Sequence, residues 1–160
     1  MLKIFKDITT FISLKIKERK FNKIIFIENE NIYYYLKSYV NNKSIVLFLN
    51  KPNLKSINKY YYFEIIFFKE IYFYLLNFKY FYTSTPNIGE NICKKSIFKK
   101  TKYIYLQHSP VGLISAYNEN AFINFDCVQT INKSQYRDGL EINEYYKKNI
   151  KFFKSKYRFI

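Results

Sequence analysis

Apolar residues recur along this chain with two different periods, and the changes from one to the other mark out its elements. Between Leu2 and Lys20, Ile4, Phe5, Ile8, Phe11, Ile12 and Ile16 fall at helical spacing while Lys and Arg fill the opposite side. That pattern predicts an amphipathic basic helix over residues 1–20. From Lys23 the apolar residues become continuous: Lys23 to Ile27 (KIIFI) is a short run closed by the polar segment Glu28 to Asn31. Such a run reads as a buried parallel strand followed by a turn. Tyr33 to Val40 reads as a helix and Ser44 to Leu49 as a second buried strand, closed by Asn50, Lys51 and Pro52, which completes one βαβ unit. The aromatic stretch Tyr60 to Asn77 has the length and internal charges of a helix, although its Tyr and Phe content favours a strand. Lys79 to Ser84, Lys102 to Gln107 and Asp126 to Ile131 predict three more strands, separated by segments long enough for crossover helices.

Strand and helix therefore alternate throughout, which predicts an α/β fold: a Rossmann-like parallel sheet of about five strands with helices on both faces. No internal repeat and no Gly/Ser or Pro-rich linker divides residues 1–160, so they read as one domain. An apolar fraction of 49% is enough to build a core for 160 residues.

Composition changes this picture little. The aromatic share of 22% is Tyr and Phe without Trp, alongside abundant Ile, Asn and Lys, a drift that carries little functional information. A net charge of +15 follows where Lys is the default surface residue, yet any such surface attracts phosphates, anionic lipid head groups and nucleic acid. Cys93 and Cys127 form no CxxC pair, which fits a reducing cytoplasm. The N-terminus carries Lys3, Lys6 and Asp7 inside its apolar run and no small-residue cleavage site, unlike a signal peptide. The most apolar stretch, Tyr60 to Leu76, is interrupted by Glu64, Lys69 and Glu70 and falls short of a membrane span. The expected location is the cytoplasm, either free or peripheral at the inner face of the plasma membrane. The N-terminal helix either packs on its own sheet or lies on an anionic membrane surface.

Ligands of open α/β sheets bind beyond the carboxyl ends of the strands, so the residues just after each strand are the candidates. In Thr83-Ser84-Thr85-Pro86-Asn87-Ile88-Gly89-Glu90, Asn87 and Glu90 have the spacing of a capping box opening a helix. Thr85 and Asn87 are its candidate ligand contacts, against the reading of a plain strand-to-helix turn. Gln107-His108-Ser109-Pro110 follows the fourth strand, and His108 is the sole histidine. Ser109 suits an N-cap and Pro110 a first helical turn, which would face His108 with the positive end of a helix and keep its imidazole neutral. Both a general base and a structural histidine fit that position. Asn132-Lys133-Ser134-Gln135 supplies further cap residues and, in Lys133, a cation for a phosphate, although lysine is common everywhere here. Asp126 is expected to hydrogen-bond a turn or a neighbouring loop. No P-loop, GxGxxG, zinc constellation, GxSxG or paired-carboxylate motif occurs, and no metal or cofactor is called for.

Two runs in order, Tyr103-Ile104-Tyr105-Leu106-Gln107-His108-Ser109-Pro110-Val111 and Ala121-Phe122-Ile123-Asn124-Phe125-Asp126, resemble the N-terminal domain of bacterial CDP-glycerol glycerophosphotransferases. The Thr83 to Gly89 turn resembles the same family. The resemblance implies the N-terminal half of a GT-B-like transferase, whose active site lies in the cleft between two Rossmann-like domains. It implies transfer of glycerol phosphate from a CDP-linked donor to the hydroxyl of an acceptor polymer of the teichoic-acid or capsule kind. His108 would be the base, with Thr85, Asn87, Gln107, Ser109 and Lys133 as substrate contacts. The donor-binding domain would follow Ile160, so these residues by themselves are expected to be inactive. The alternative is a non-catalytic basic module that binds an anionic polymer or membrane surface. Nucleic acid is not expected as a partner, since no RNP-like aromatic motif or reading helix is present.

Overall fold

A computed structural model describes residues 1–53, 59–90, 93–118 and 120–154. Helix α1 (Leu2–Lys17) leads into strand β1 (Lys23–Ile27), helix α2 (Glu30–Leu36) with a 3-10 turn at Lys37–Tyr39, and β2 (Ser44–Phe48). Then come β3 (Tyr61–Tyr62), α3 (Ile66–Tyr74), β4 (Tyr80–Thr83), β5 (Lys102–Tyr105), α4 (Leu113–Ala116), β6 (Cys127–Thr130), α5 (Lys133–Tyr146) and β7 (Lys151–Lys154). Every strand pairing is parallel, and the order across the sheet is β3-β2-β1-β4-β5-β6-β7. The fold is Rossmann-like α/β, as the alternation of elements implies, with seven strands among the described residues rather than about five.

Both additional strands are short. The Tyr60 to Asn77 stretch is not one helix but β3 followed by α3, with the break fixed from outside. Asp7 of α1 is fully buried and its carboxylate accepts the N–H groups of Glu64 (3.1 Å to either oxygen) and Ile65 (2.8 Å). These are otherwise orphaned amides at the start of α3, so α1 caps α3. The side chains of Lys6 and Lys17 reach the phenol hydroxyls of Tyr62 and Tyr61, which ties α1 to β3 as well.

The inner strands are largely buried on both faces, as a parallel sheet requires, and the edge strands β3 and β7 are less so. On one face Phe26, Phe81, Tyr103, Tyr105 and Val128 pack beneath Leu14, Tyr72, Phe73, Leu113 and Ile142, which come from α1, α3, α4 and α5. On the other, Ile25, Ile27, Val46, Phe48 and Ile104 pack with Ile32 and Leu36 of α2. Helices therefore cover both faces. At Gly139 of α5 an added Cβ would lie 2.4 Å from the Phe152 ring, so the close approach of α5 to β7 demands glycine. Asp126 plays the structural part expected of it: its carboxylate accepts from Tyr103 N (2.8 Å) and Lys102 Nζ (3.2 Å) and links β6 to β5.

Three local expectations are corrected. The second helix starts at Glu30, not Tyr33, because the Asn29 side chain accepts from Ile32 N (3.2 Å) and caps it there. Asn87 and Glu90 open no helix: Asn87 adopts φ 56° inside a turn, its N–H donates to Ala121 O (2.9 Å), and Glu90 N donates back to Asn87 O. Ser109 and Pro110 begin no helix either. Helix α4 starts at Leu113, whose N–H is capped by Asp138 Oδ2 (2.7 Å).

Candidate functional site

Strand order reverses at β1, which has β2 on one side and β4 on the other. The chain leaves β1 and β4 toward opposite faces there, which is where sheets of this kind take their ligands, beyond the carboxyl ends. Phe26 of β1, Thr83 of β4 and Tyr105 of β5 lie in register. Two residues further along each strand come Glu28, Thr85 and Gln107, one row across the crest of the sheet. His108 follows directly. The crest thus collects three of the six candidate residues and adds Glu28, which belongs to none of the three junctions considered above.

Thr85 is buried, its N–H bonded to Thr83 Oγ1 (3.0 Å) and its hydroxyl donating to Glu28 Oε2 (3.1 Å). A strand-end threonine therefore holds the carboxylate at the switch point. Gln107 is 2% exposed. Its Oε1 lies 3.1 Å from both the Tyr105 and Tyr117 hydroxyls, which are 2.8 Å from each other. The two phenols thereby fix which way the amide points. Its Nε2 is left buried with no hydrogen-bond partner among the described residues, as are Ser84 Oγ and His108 Nδ1. Unmade hydrogen bonds at buried polar atoms cost on the order of 1–3 kcal/mol each, so these three, at the ends of two adjacent strands, make that edge of the sheet the candidate site, although Thr101 Oγ1 at the opposite end of β5 is unpartnered too.

His108 is half-buried, its ring 6.1 Å from that of Tyr35 in α2. Burial lowers its pKa from the ordinary 6.5, and the Glu28 carboxylate opposes that shift. The imidazole is kept neutral, as expected for a base, but by desolvation rather than by the helix N-terminus that Ser109 and Pro110 suggested. Ser109 takes part through its backbone: Gln135 Nε2 donates to Ser109 O (3.0 Å) and Val111 O (2.6 Å), pinning the loop that carries His108. Asn87 sits in the neighbouring turn, where its N–H is used by Ala121 O and Asn124 Nδ2 holds Ile88 O (2.7 Å). Lys133 is exposed at the first residue of α5, beside Tyr136, Arg137 and Lys154. Asn132 caps that helix by accepting from Gln135 N (2.8 Å), in keeping with the cap residues read there.

Among the described residues no group of three or more His, Cys, Asp or Glu is placed to hold a metal ion. No helix among them is long and apolar enough to cross a membrane. No protein-family model, curated protein or solved structure matches the chain.

Proposed function

We propose that this chain is the acceptor-side domain of a CDP-glycerol glycerophosphotransferase-like enzyme, acting on a cell-surface polymer at the inner face of the plasma membrane. His108 is its general base. The observation that carries this reading is His108 itself, a half-buried imidazole kept neutral by desolvation after β5, one strand from the switch point, within the field of Glu28 and next in sequence to Gln107 with its unpartnered amide. The resemblance of the Tyr103–Val111 and Ala121–Asp126 runs to the family supports it.

In this reading the acceptor hydroxyl donates to His108, which takes its proton as the oxygen attacks the phosphorus that bears glycerol. A new P–O bond forms, the bond to the CMP oxygen breaks, and CMP leaves with the electron pair. The Gln107 Nε2–H and the Ser84 hydroxyl bind ligand oxygens, and Thr85 acts by holding Glu28. The donor nucleotide needs a second wall, so residues 1–160 alone are expected to release no CMP from CDP-glycerol. They are expected to bind a glycerol phosphate oligomer, read as a shift of the single imidazole signal in NMR. Absence of that shift at saturating oligomer would end the acceptor-side reading.

A second reading, a non-catalytic basic module that binds an anionic polymer or membrane surface, is favoured by the charge of +15 and the exposed apolar side of α1. It requires salt-dependent binding that survives His108→Ala.

A further inference from the structure

Helix α1 does not turn its apolar side to its own domain. The residues it directs inward are Asp7, Phe11 and Leu14, which cap α3 and pack over Tyr72. The richer apolar row, Ile4, Ile8, Ile12 and Ile16 with Phe5 beside it, is 39% to 63% exposed. Spacing of four residues puts that row on one side of the helix along its whole length. The helix cannot simply roll to bury it, because the Asp7 cap and the Lys6 and Lys17 bonds to Tyr62 and Tyr61 fix its rotation.

The charges around the stripe select its occupant. Of the two acids in or next to α1, Asp7 is fully buried and Glu18 is turned inward with its side chain 5% exposed and paired to Lys15. Lys3, Arg19 and Lys20 are exposed. The outer side of α1 is therefore apolar with a cationic margin, and the exposed acid beside it, Glu64, is paired to Lys3 and Lys6. A partner copy of this surface would set cation against cation. An anionic lipid surface takes up both features, with isoleucine and phenylalanine in the acyl boundary and lysine at the head groups.

We infer that α1 is an interfacial anchor: it lies in the plane of an anionic bilayer through the Ile4–Ile16 stripe and Phe5, and holds the domain on the membrane. This goes beyond the chemistry proposed for the crest. It stands on α1 alone, so its failure would leave the role of His108 intact.

Sedimentation of the 160-residue chain with vesicles tests it. The protein should pellet with vesicles containing phosphatidylglycerol and stay in the supernatant with pure phosphatidylcholine. Ile8→Gln together with Ile12→Gln keeps net charge and helix propensity, and both side chains are exposed, so the fold should survive, as circular dichroism would check. Binding to the anionic vesicles should fall roughly tenfold or more in that double variant. Equal binding of the variant and the parent would overturn the anchor and leave only diffuse attraction of the +15 charge. So would failure of the parent to pellet at all, and dimerisation in analytical ultracentrifugation that the double variant abolishes would assign the stripe to a second copy instead.

Discussion

Two buried glutamines near the carboxyl edge of the sheet are finished in opposite ways. Gln135, in the first turn of α5, has its amide fully used: Oε1 accepts from Ile131 N (2.7 Å), and Nε2 donates to the carbonyls of Ser109 and Val111. Gln107, at the end of β5, has its Oε1 bound by two tyrosine hydroxyls and its Nε2 bound by nothing described. One amide is a strut that bonds three backbone groups and ties the end of β6 to the 109–111 loop. The other is oriented at its oxygen while its nitrogen has no partner, and Ser84 Oγ and His108 Nδ1, at the ends of the same two strands, are also unpartnered. Thr101 Oγ1, at the other end of β5, is unpartnered as well, so it is the position of Ser84, Gln107 and His108 beyond the carboxyl ends of the strands, where α/β sheets take their ligands, that points to a site.

This contrast can be broken by exchanging roles. Gln135→Ala strands one amide and two carbonyls and is expected to cost about 2–4 kcal/mol in urea unfolding. Because Gln135 pins the 109–111 loop, the His108 signal should also broaden. Gln107→Leu should cost clearly less than Gln135→Ala, about 1 kcal/mol, since an unpartnered donor is removed and one of the Tyr105 and Tyr117 hydroxyls still donates to the other while only one phenol O–H loses its acceptor. It should nonetheless remove the response of the imidazole to glycerol phosphate oligomer. A large loss of stability in Gln107→Leu, or none in Gln135→Ala, would erase the distinction between strut and site.

The acid side of unfolding gives a smaller effect. Burial holds the His108 pKa below its ordinary value, so at and just below pH 6.5 the unfolded chain binds the proton more readily than the folded one. Stability therefore rises with pH across that window, and His108→Ala should remove this part of the slope when the two pH profiles are subtracted. Glu28→Gln should give the smallest change: losing the carboxylate that opposes the shift moves the imidazole pKa further down while the Thr85 bond can persist to the amide oxygen.

The sheet was largely legible in the sequence because buried parallel strands write themselves as short continuous apolar runs. KIIFI gives β1 at its observed bounds, and SIVLF, YFYT, KYIY and CVQT lie within the expected strands. The edge strands were not legible. β3 is two residues long, and β7 (KFFK) exposes both of its lysines, so neither has the buried run that marks a central strand. The start of α4 was obscured because Gln135 and Asp138, more than twenty residues away, decide what the segment after His108 does. Periodicity also identified α1 without revealing which side faces in, since the buried capping carboxylate of Asp7 outweighs the isoleucines. Of the site, His108, Gln107 and Thr85 were found from their position after strands. Glu28 was missed because only strand order, not local pattern, makes the end of β1 the neighbour of β4.

The most direct test of the central claim is a pH titration of the sole imidazole by NMR, with and without glycerol phosphate oligomer. A midpoint below 6.5 that moves on adding oligomer is the result expected of a desolvated base in an open ligand site. An ordinary midpoint indifferent to the oligomer would make His108 a surface histidine and remove the crest as the functional site.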